Sequence, residues 1–399
     1  MEGGPTPAVR LPPKRKTWSW RSRAARGFAY QVVAVVVIGG LLWLLAHNTL
    51  ENMRVRGIQS GFGFLAQPAG FDIGESVIPY DALDPYWKAF LVGVLNTLRV
   101  ALVGIVLATV LGTLIGVGRL SRNAIVRGLC YGYVELFRNV PVLLQLLMWY
   151  LFFTDVLPAV NEAVSLGGLF FVSKGGLAMP WPAWPGTAFA LIGAGLVAGI
   201  VGAVAYRRWA MRLFERTGQV RSLVWVPLLL VLVGGVAGWA IAGSPRDWSI
   251  PAPGTFTMEG GASATPEFLG VLIGLVLYTA AFIAEVVRAG IQAVPHGQPE
   301  AAASLGLSRG LTMRLVTLPQ ALRVIIPPMT SQYLNLTKNS SLAVAIGYPD
   351  VVSIANTSLN QTGRAVECIA IIMAVYLTTS LTTAAFMNWY NRRSAIKER

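Results

Sequence analysis

Polar side chains are scarce in this chain, and the few set inside apolar stretches carry its chemical potential. Lys338 stands mid-way along an apolar segment, followed by Asn339, Ser340 and Ser341, with Asn335 one turn before it. An ionisable group in hydrocarbon costs about 2.5–3.5 kcal/mol on insertion scales, so it faces a cavity or a partner. Amide and hydroxyl groups both donate and accept hydrogen bonds, which suits them to hold a polar solute. Asn335, Asn339, Ser340 and Ser341 are therefore expected to line a solute path, with Lys338 among them. Interhelical hydrogen bonding is the competing role, and for Lys338 an ion pair with Glu367. The preceding Pro327-Pro328 pair predicts an interrupted helix whose freed backbone groups face that path. Thr97 and Arg99, and Arg138, Asn139 and Gln145, form a weaker second set, in which Arg138 could simply anchor an interface. Glu285 and Arg288 lie three residues apart and can pair on one helix face.

Nothing in the sequence supports bond-making chemistry. A phosphate-binding loop needs Gly-Lys-Ser/Thr, and none of the six lysines (Lys14, Lys16, Lys88, Lys174, Lys338, Lys397) follows a glycine. His47 and His296 are expected on opposite sides of the membrane, and Cys130 and Cys368 fall on different apolar segments without metal or disulfide spacing. No catalytic residue and no metal ligand is expected.

These residues are positioned by membrane helices. Charged residues make up 13% of the 399, against about 25% in soluble domains, while 54% are hydrophobic. A span needs about 20 mostly apolar residues, because every backbone polar group must be satisfied inside the helix. Residues 28–50, 187–206, 222–245 and 368–391 meet that length with no Asp, Glu, Lys or Arg. The pattern predicts an all-α integral membrane protein with about eight spans: 28–47, 90–118, 136–156, 187–206, 222–243, 267–287, 323–346 and 366–390. With the N-terminus inside, 23 of the 32 Lys and Arg fall on the inner side and five outside, which places both termini in the cytoplasm. That asymmetry accounts for the net charge of +14 without nucleic acid. The first span follows a basic arm (1–27) and is too long for a signal h-region, so it reads as a retained anchor. Outside lie a mildly acidic loop (48–89) and a Pro/Trp-rich loop containing Pro180-Trp181-Pro182-Ala183-Trp184-Pro185.

Between the sixth and seventh spans lies an unusual inner segment. Gln298 to Ala303 reads as a helix start, with Pro299 early and Glu300 favourable to the dipole. Leu305, Leu307, Leu311, Leu315 and Leu318 supply an apolar side, Arg309 and Arg314 a charged one, and Pro319 ends the element. The order Glu300-Ala301-Ala302, three residues, Gly306, nine residues, Val316, one residue, Leu318-Pro319 resembles the EAA loop of ABC importer permeases, with Val in place of Ile. The flanking stretches Ala284–Ile291, Leu336–Leu342, Arg138-Asn139-Val140-Pro141 and Arg364–Glu367 resemble permeases for polar amino acids, most of all one of the two permeases of a general L-amino-acid importer.

The resemblance implies a type I importer fold, with a five-helix core at 90–156 and 265–391. Three further helices (28–47 and the inserted pair 187–243) and a short cytoplasmic tail (392–399) complete it. It implies that the loop 290–321 couples to a separate ATPase through Glu300, Ala301, Ala302, Gly306, Leu318 and Pro319, with a Cβ at Gly306 expected to obstruct a sharp turn. No cofactor is expected on this chain; ATP and Mg belong to the ATPase. Two ATPase copies, a second homologous permease, a periplasmic amino-acid-binding protein and inner-membrane lipid are the expected partners. In that family an acidic residue often stands at the position of Asn339 when cationic amino acids are carried, so a neutral Asn argues against that restriction. An ion-gradient-driven transporter or channel is the alternative. It would need carboxylates within the spans, where only Glu285 and Glu367 fall, both near span ends.

Overall fold

A computed structural model describes residues 23–394 apart from 56, 58, 59, 220 and 256. Most of the basic arm, Arg56 and the end of the tail lie outside the described residues. Helix α1 (Arg23–Val55) packs on almost nothing: the most apolar stretch within it is wholly exposed, including Val35, Leu42, Trp43 and Leu45. An all-round apolar helix without protein neighbours is suited to lipid.

The centre is the pair α2 (Tyr86–Gly118) and α7 (Pro266–Gln292). Thr265 caps α7 by accepting from the Phe268 N–H at 3.1 Å, with Pro266 at its first position. The two helices approach through small residues: a Cβ at Gly112 would lie 2.7 Å from the Ala280 carbonyl, and one at Gly116 2.7 Å from that of Ala284. Such spacing lets backbones pack by dispersion where hydrophobic driving force between helices is weak. Around this contact Val100, Leu146, Val271, Leu275, Ile283, Leu336 and Tyr348 form the main core.

The expected span 136–156 is instead two helices, α3 (Ala124–Asn139) and α4 (Val142–Leu151, continued as a π turn to Val156), bent by 103°. Pro141 has no N–H and drives Val140 into extended backbone (φ −96°, ψ 129°). The Gln145 amide donates to the carbonyls of Phe137 and Val140, each at 2.9 Å, and so satisfies groups that the break orphans.

The Pro/Trp-rich loop is not irregular. It holds β1 (Val164–Leu166), β2 (Phe170–Ser173), β3 (Gly176–Met179) and β4 (Trp181–Pro182). The inserted pair α5 (Gly186–Thr217) and α6 (Trp225–Ile241) follows, and then β5 (Trp248–Ser249), β6 (Ala252–Pro253), β7 (Met258–Glu259) and β8 (Ala262–Ala264). One antiparallel sheet runs β1-β2-β3-β8, with Leu177 opposite Ala264, and β4 pairs β5. Trp184 meets Trp248 edge-on at 5.9 Å. The strands thus tie together the two ends of the inserted hairpin. Within it Gly195 and Gly199 face Gly234 and Gly238, and a Cβ at Gly234 would come 2.3 Å from the Gly195 carbonyl.

The chain ends with α8 (Gly297–Ser304), α9 (Arg309–Thr312), a π turn Met313–Thr317, α10 (Leu318–Asn339), a 3₁₀ turn Ser340–Ile346, α11 (Val351–Thr362) and α12 (Ala365–Ser394). Contrary to the expected interruption, α10 runs continuously through Pro327 and Pro328. The break comes later, at 347–350, and leads into α11, which lies between the spans expected at 323–346 and 366–390. Asp350 caps α11 by accepting from the Ser353 N–H at 2.8 Å. Five described helices are long and apolar enough to cross a membrane, two bent pairs raise the number to seven, and the 17-residue α6 is the short apolar partner of α5. Within the loop 48–89, Phe64 and Ala69 are buried with Tyr86, Phe90 and Ile354 in a second core.

Candidate functional site

The helices that flank the segment between α7 and α10 pack on each other: Gly290 of α7 lies against Ile325 of α10 so closely that a Cβ would sit 2.3 Å from its Cγ1. Within the segment Ala302 is buried. Helix α8 ends in paired bonds: the Gly306 N–H donates to the Ala303 carbonyl at 2.9 Å, and the Leu307 N–H to that of Ala302 at 3.1 Å. This is the Schellman closure, and Gly306 supplies its left-handed residue (φ +77°). Nothing lies within 4 Å of a Cβ built there, so conformation, rather than the expected obstruction, selects glycine. Ser308 then caps α9, its Oγ accepting from the Leu311 N–H at 3.5 Å. Contrary to expectation Pro319 does not end the element: the chain stays helical from α9 through the π turn Met313–Thr317 into α10, with Pro319 just past that turn.

The apolar side of this segment points away from the chain. Leu305 is 82% exposed, Leu315 59% and Leu311 46%. Glu300, Ala301, Arg309 and Arg314 are also exposed. A cavity of about 660 Å³ opens between the end of α7 and this turn, lined by Val294, Pro299, Glu300, Leu307 and Thr312 among others.

Directly behind it, Glu285 gathers three guanidinium groups. It accepts from Arg119 at the end of α2 and from Arg288 on its own helix, and Arg138 of α3 lies 4.0 Å away. Arg138 also covers the Phe282 ring at 5.2 Å. The Glu285–Arg288 pair follows from spacing; the part of Arg119, 166 residues distant, left no mark in the sequence. Asn139 stays local, donating to the Glu135 carbonyl at 2.7 Å.

The polar residues of α10 separate into two groups. Asn335 and Lys338 are exposed and Asn339 half-buried, and their spacing of three and four places them on one face. Ser340 is buried and donates to the Thr337 carbonyl, while the less buried Ser341 donates to that of Lys338, each at 2.7 Å. Among the described residues Lys338 has no ion pair, and Glu367 instead accepts from the Gly61 N–H.

The second set is committed to packing. Thr97 is fully buried, donating to the Gly93 carbonyl at 2.9 Å and accepting from the Val351 N–H at 3.2 Å. Gln145 is buried at the α3–α4 bend. Asn96, not anticipated, donates to the carbonyls of Glu75 at 2.8 Å and Pro349 at 2.9 Å. Arg99 pairs with Glu75 and covers the Phe268 ring at 4.0 Å. Asn96, Thr97 and Arg99 on an otherwise apolar helix were the available signal for this junction.

Residues 192–396, just over half of the chain, match the family described as binding-protein-dependent transport system inner membrane component. The general L-amino acid transport system permease protein of Rhizobium johnstonii is 46% identical over 386 residues, covering 96% of both chains. The glutamate/glutamine/aspartate/asparagine transport system permease protein of Rhodobacter capsulatus is 41% identical over 399 residues, covering 92% of this chain and 93% of that one. A glutamate/aspartate import permease protein of Escherichia coli is 40% identical over 126 residues, 32% of this chain and 51% of its own. The chain belongs to the family of binding-protein-dependent transport system inner membrane components.

Proposed function

We propose that this chain is a permease subunit of an ATP-driven importer that carries amino acids, over a broad L-range, from periplasm to cytoplasm by alternating access. The observation that carries the reading is the outward apolar side of the α8–α9 segment. Leu305, Leu311 and Leu315 project from a turn whose geometry the Gly306 closure fixes. Exposed leucines beside arginines on a rigid turn are the surface of a docking element. The partner that fits is the ATPase, which holds ATP and Mg; Glu300, Ala301, Ala302, Gly306, Leu318 and Pro319 shape the contact. Two ATPase copies closing on ATP push this element, and its two ends lead directly into α7 and α10, which move together because Gly290 packs on Ile325.

Among the described residues Asn335 and Lys338 on one face of α10 are exposed and Asn339 half-buried, which supports a second, homologous permease opposite it and a solute path between the two. Ser341 extends that face, and Ser340 stays behind it. A binding protein supplies the amino acid from outside, and both termini lie in the cytoplasm. The core at 90–156 and 265–391 carries transport, with α1 and the α5–α6 pair outside it. The names of the full-length relatives support the substrate class.

The experiment is reconstitution with the ATPase, the second permease and the binding protein in vesicles. L-Amino acids plus binding protein are expected to stimulate ATP hydrolysis, and labelled amino acid to accumulate only with ATP. Uptake that follows an ion gradient without ATP would overturn the reading in favour of a secondary transporter.

A further inference from the structure

We propose that the cytoplasmic end of the α5–α6 hairpin is a binding site for the headgroup of an anionic phospholipid. The side follows from the coupling reading above. From the end of α5 the chain crosses once in α6 and returns in α7, so this end and the coupling element share one face of the membrane. Helix α5 has 32 residues, about 48 Å at 1.5 Å per residue, against about 30 Å of hydrocarbon. The stretch Gly186 to Tyr206 carries no charge and alone spans about 31 Å. From Arg207 the helix leaves the hydrocarbon and passes out through the headgroup layer.

Five arginines follow within fifteen residues: Arg207, Arg208, Arg212, Arg216 and Arg221, with Glu215 the sole carboxylate among them. All five are exposed, and none takes part in an ion pair among the described residues. Arg212 and Arg216 face away from Ala210, Met211 and Phe214, whereas Arg207 shares the helix face of those three residues and Arg208 stands at its edge. A guanidinium fork takes phosphate oxygens bidentately and is weakly hydrated, which suits it to a phosphodiester at an interface.

A separate feature marks this as more than surface charge. A cavity of about 260 Å³ opens between the end of α5 and the turn into α6, lined by Ala210, Met211, Phe214, Leu223 and Arg221. Its floor is apolar and its one charged wall residue is a cation. That arrangement fits the glycerol and first acyl carbons of a lipid beneath its phosphate. Trp209 is half exposed beside Tyr206, with ring centroids 5.7 Å apart, the amphipathic aromatic pair expected at headgroup depth. Orientation by charge bias requires cations on this side but not an apolar cavity beside them.

Lipid occupancy of the purified importer complex tests this, measured by native mass spectrometry after exchange into equal parts phosphatidylglycerol, cardiolipin and phosphatidylcholine. The wild type is expected to keep anionic lipid through activation energies that strip phosphatidylcholine. R207Q/R208Q/R221Q is expected to keep about tenfold less, since each lost fork removes a charge-assisted contact. R122Q/R127Q, which removes two exposed charges from the same side near α3, should match the wild type. Equal loss in both variants would mean general surface charge, and unchanged retention in the triple variant would mean no site; either overturns the proposal. Retained lipid with a shed ATPase subunit would make the cluster a protein contact and overturn it too. The readout is lipid occupancy, so it stands or falls independently of what the chain transports.

Discussion

Arg119, which closes α2, donates to the carboxylate of Glu285, two turns before α7 ends. With Arg138 and Arg288 on the same carboxylate, one side chain fixes the inner ends of α2, α3 and α7 together, immediately behind the coupling element. Replacing Glu285 by Gln leaves three guanidinium groups facing one another without their counter-charge. Hydrogen bonds to charged groups contribute about 1.5–3 kcal/mol each, so Glu285→Gln is expected to lower the thermal midpoint of the purified complex. Arg119→Gln in the same background should add little, because the pair is already broken. Additive losses would show that the two residues act separately. The check is a double-mutant cycle by thermal unfolding in detergent.

Gly306 sits in left-handed backbone with open space around it. The penalty for a side chain there is therefore conformational, about 1–2 kcal/mol, and asparagine tolerates that backbone better than alanine or valine. Binding-protein-stimulated ATP hydrolysis should fall in the order Gly, Asn, Ala, Val, while each variant still inserts and binds its partner permease. Gly306→Arg and Glu300→Lys, which change the docking surface itself, should abolish uptake. Full uptake by Gly306→Arg would refute the coupling role.

Asn339 shares a helix face with Asn335 and Lys338 and is half-buried. A carboxylate there would attract cationic side chains and repel glutamate, by about 1–3 kcal/mol in a poorly hydrated path. Asn339→Asp is therefore expected to shift competition for uptake roughly ten- to a hundred-fold from acidic amino acids towards arginine and lysine. The measurement is vesicle uptake with one binding protein throughout. An unchanged profile would place residue 339 outside the path.

The α5–α6 hairpin closes on itself through Gly195 and Gly234. Gly234→Val puts two methyl groups where the Gly195 carbonyl stands, so the hairpin must open. Limited proteolysis near 218–224 should accelerate in this variant. Uptake should persist, because α2, α7, α10 and α12 do not rest on the hairpin. Loss of uptake with intact membrane insertion would mean that the pair belongs to the transport core.

Properties set by local composition or fixed spacing were legible in the chain alone. The long apolar helices and the turn at Gly306 follow from hydropathy and from a backbone that only certain residues adopt. The Glu285–Arg288 pair follows from helical periodicity. Tertiary structure decided what depends on residues distant in sequence. Val140-Pro141 marked a weak point, yet the 103° bend persists because Gln145 takes up the orphaned carbonyls. Helix α11 is too mixed in composition to stand out, and it forms because Thr97 and Gly93 of α2 give its first turn a hydrogen bond and a close-fitting surface. Pro327 and Pro328 announced a break that packing overruled, since Ile325, Ile326 and Met329 are buried in the core on either side of them. Arg99 met Glu75, and Arg119 met Glu285, across 24 and 166 residues. A charge in a span advertises that it needs a partner; only the packed helices determine which one comes within reach.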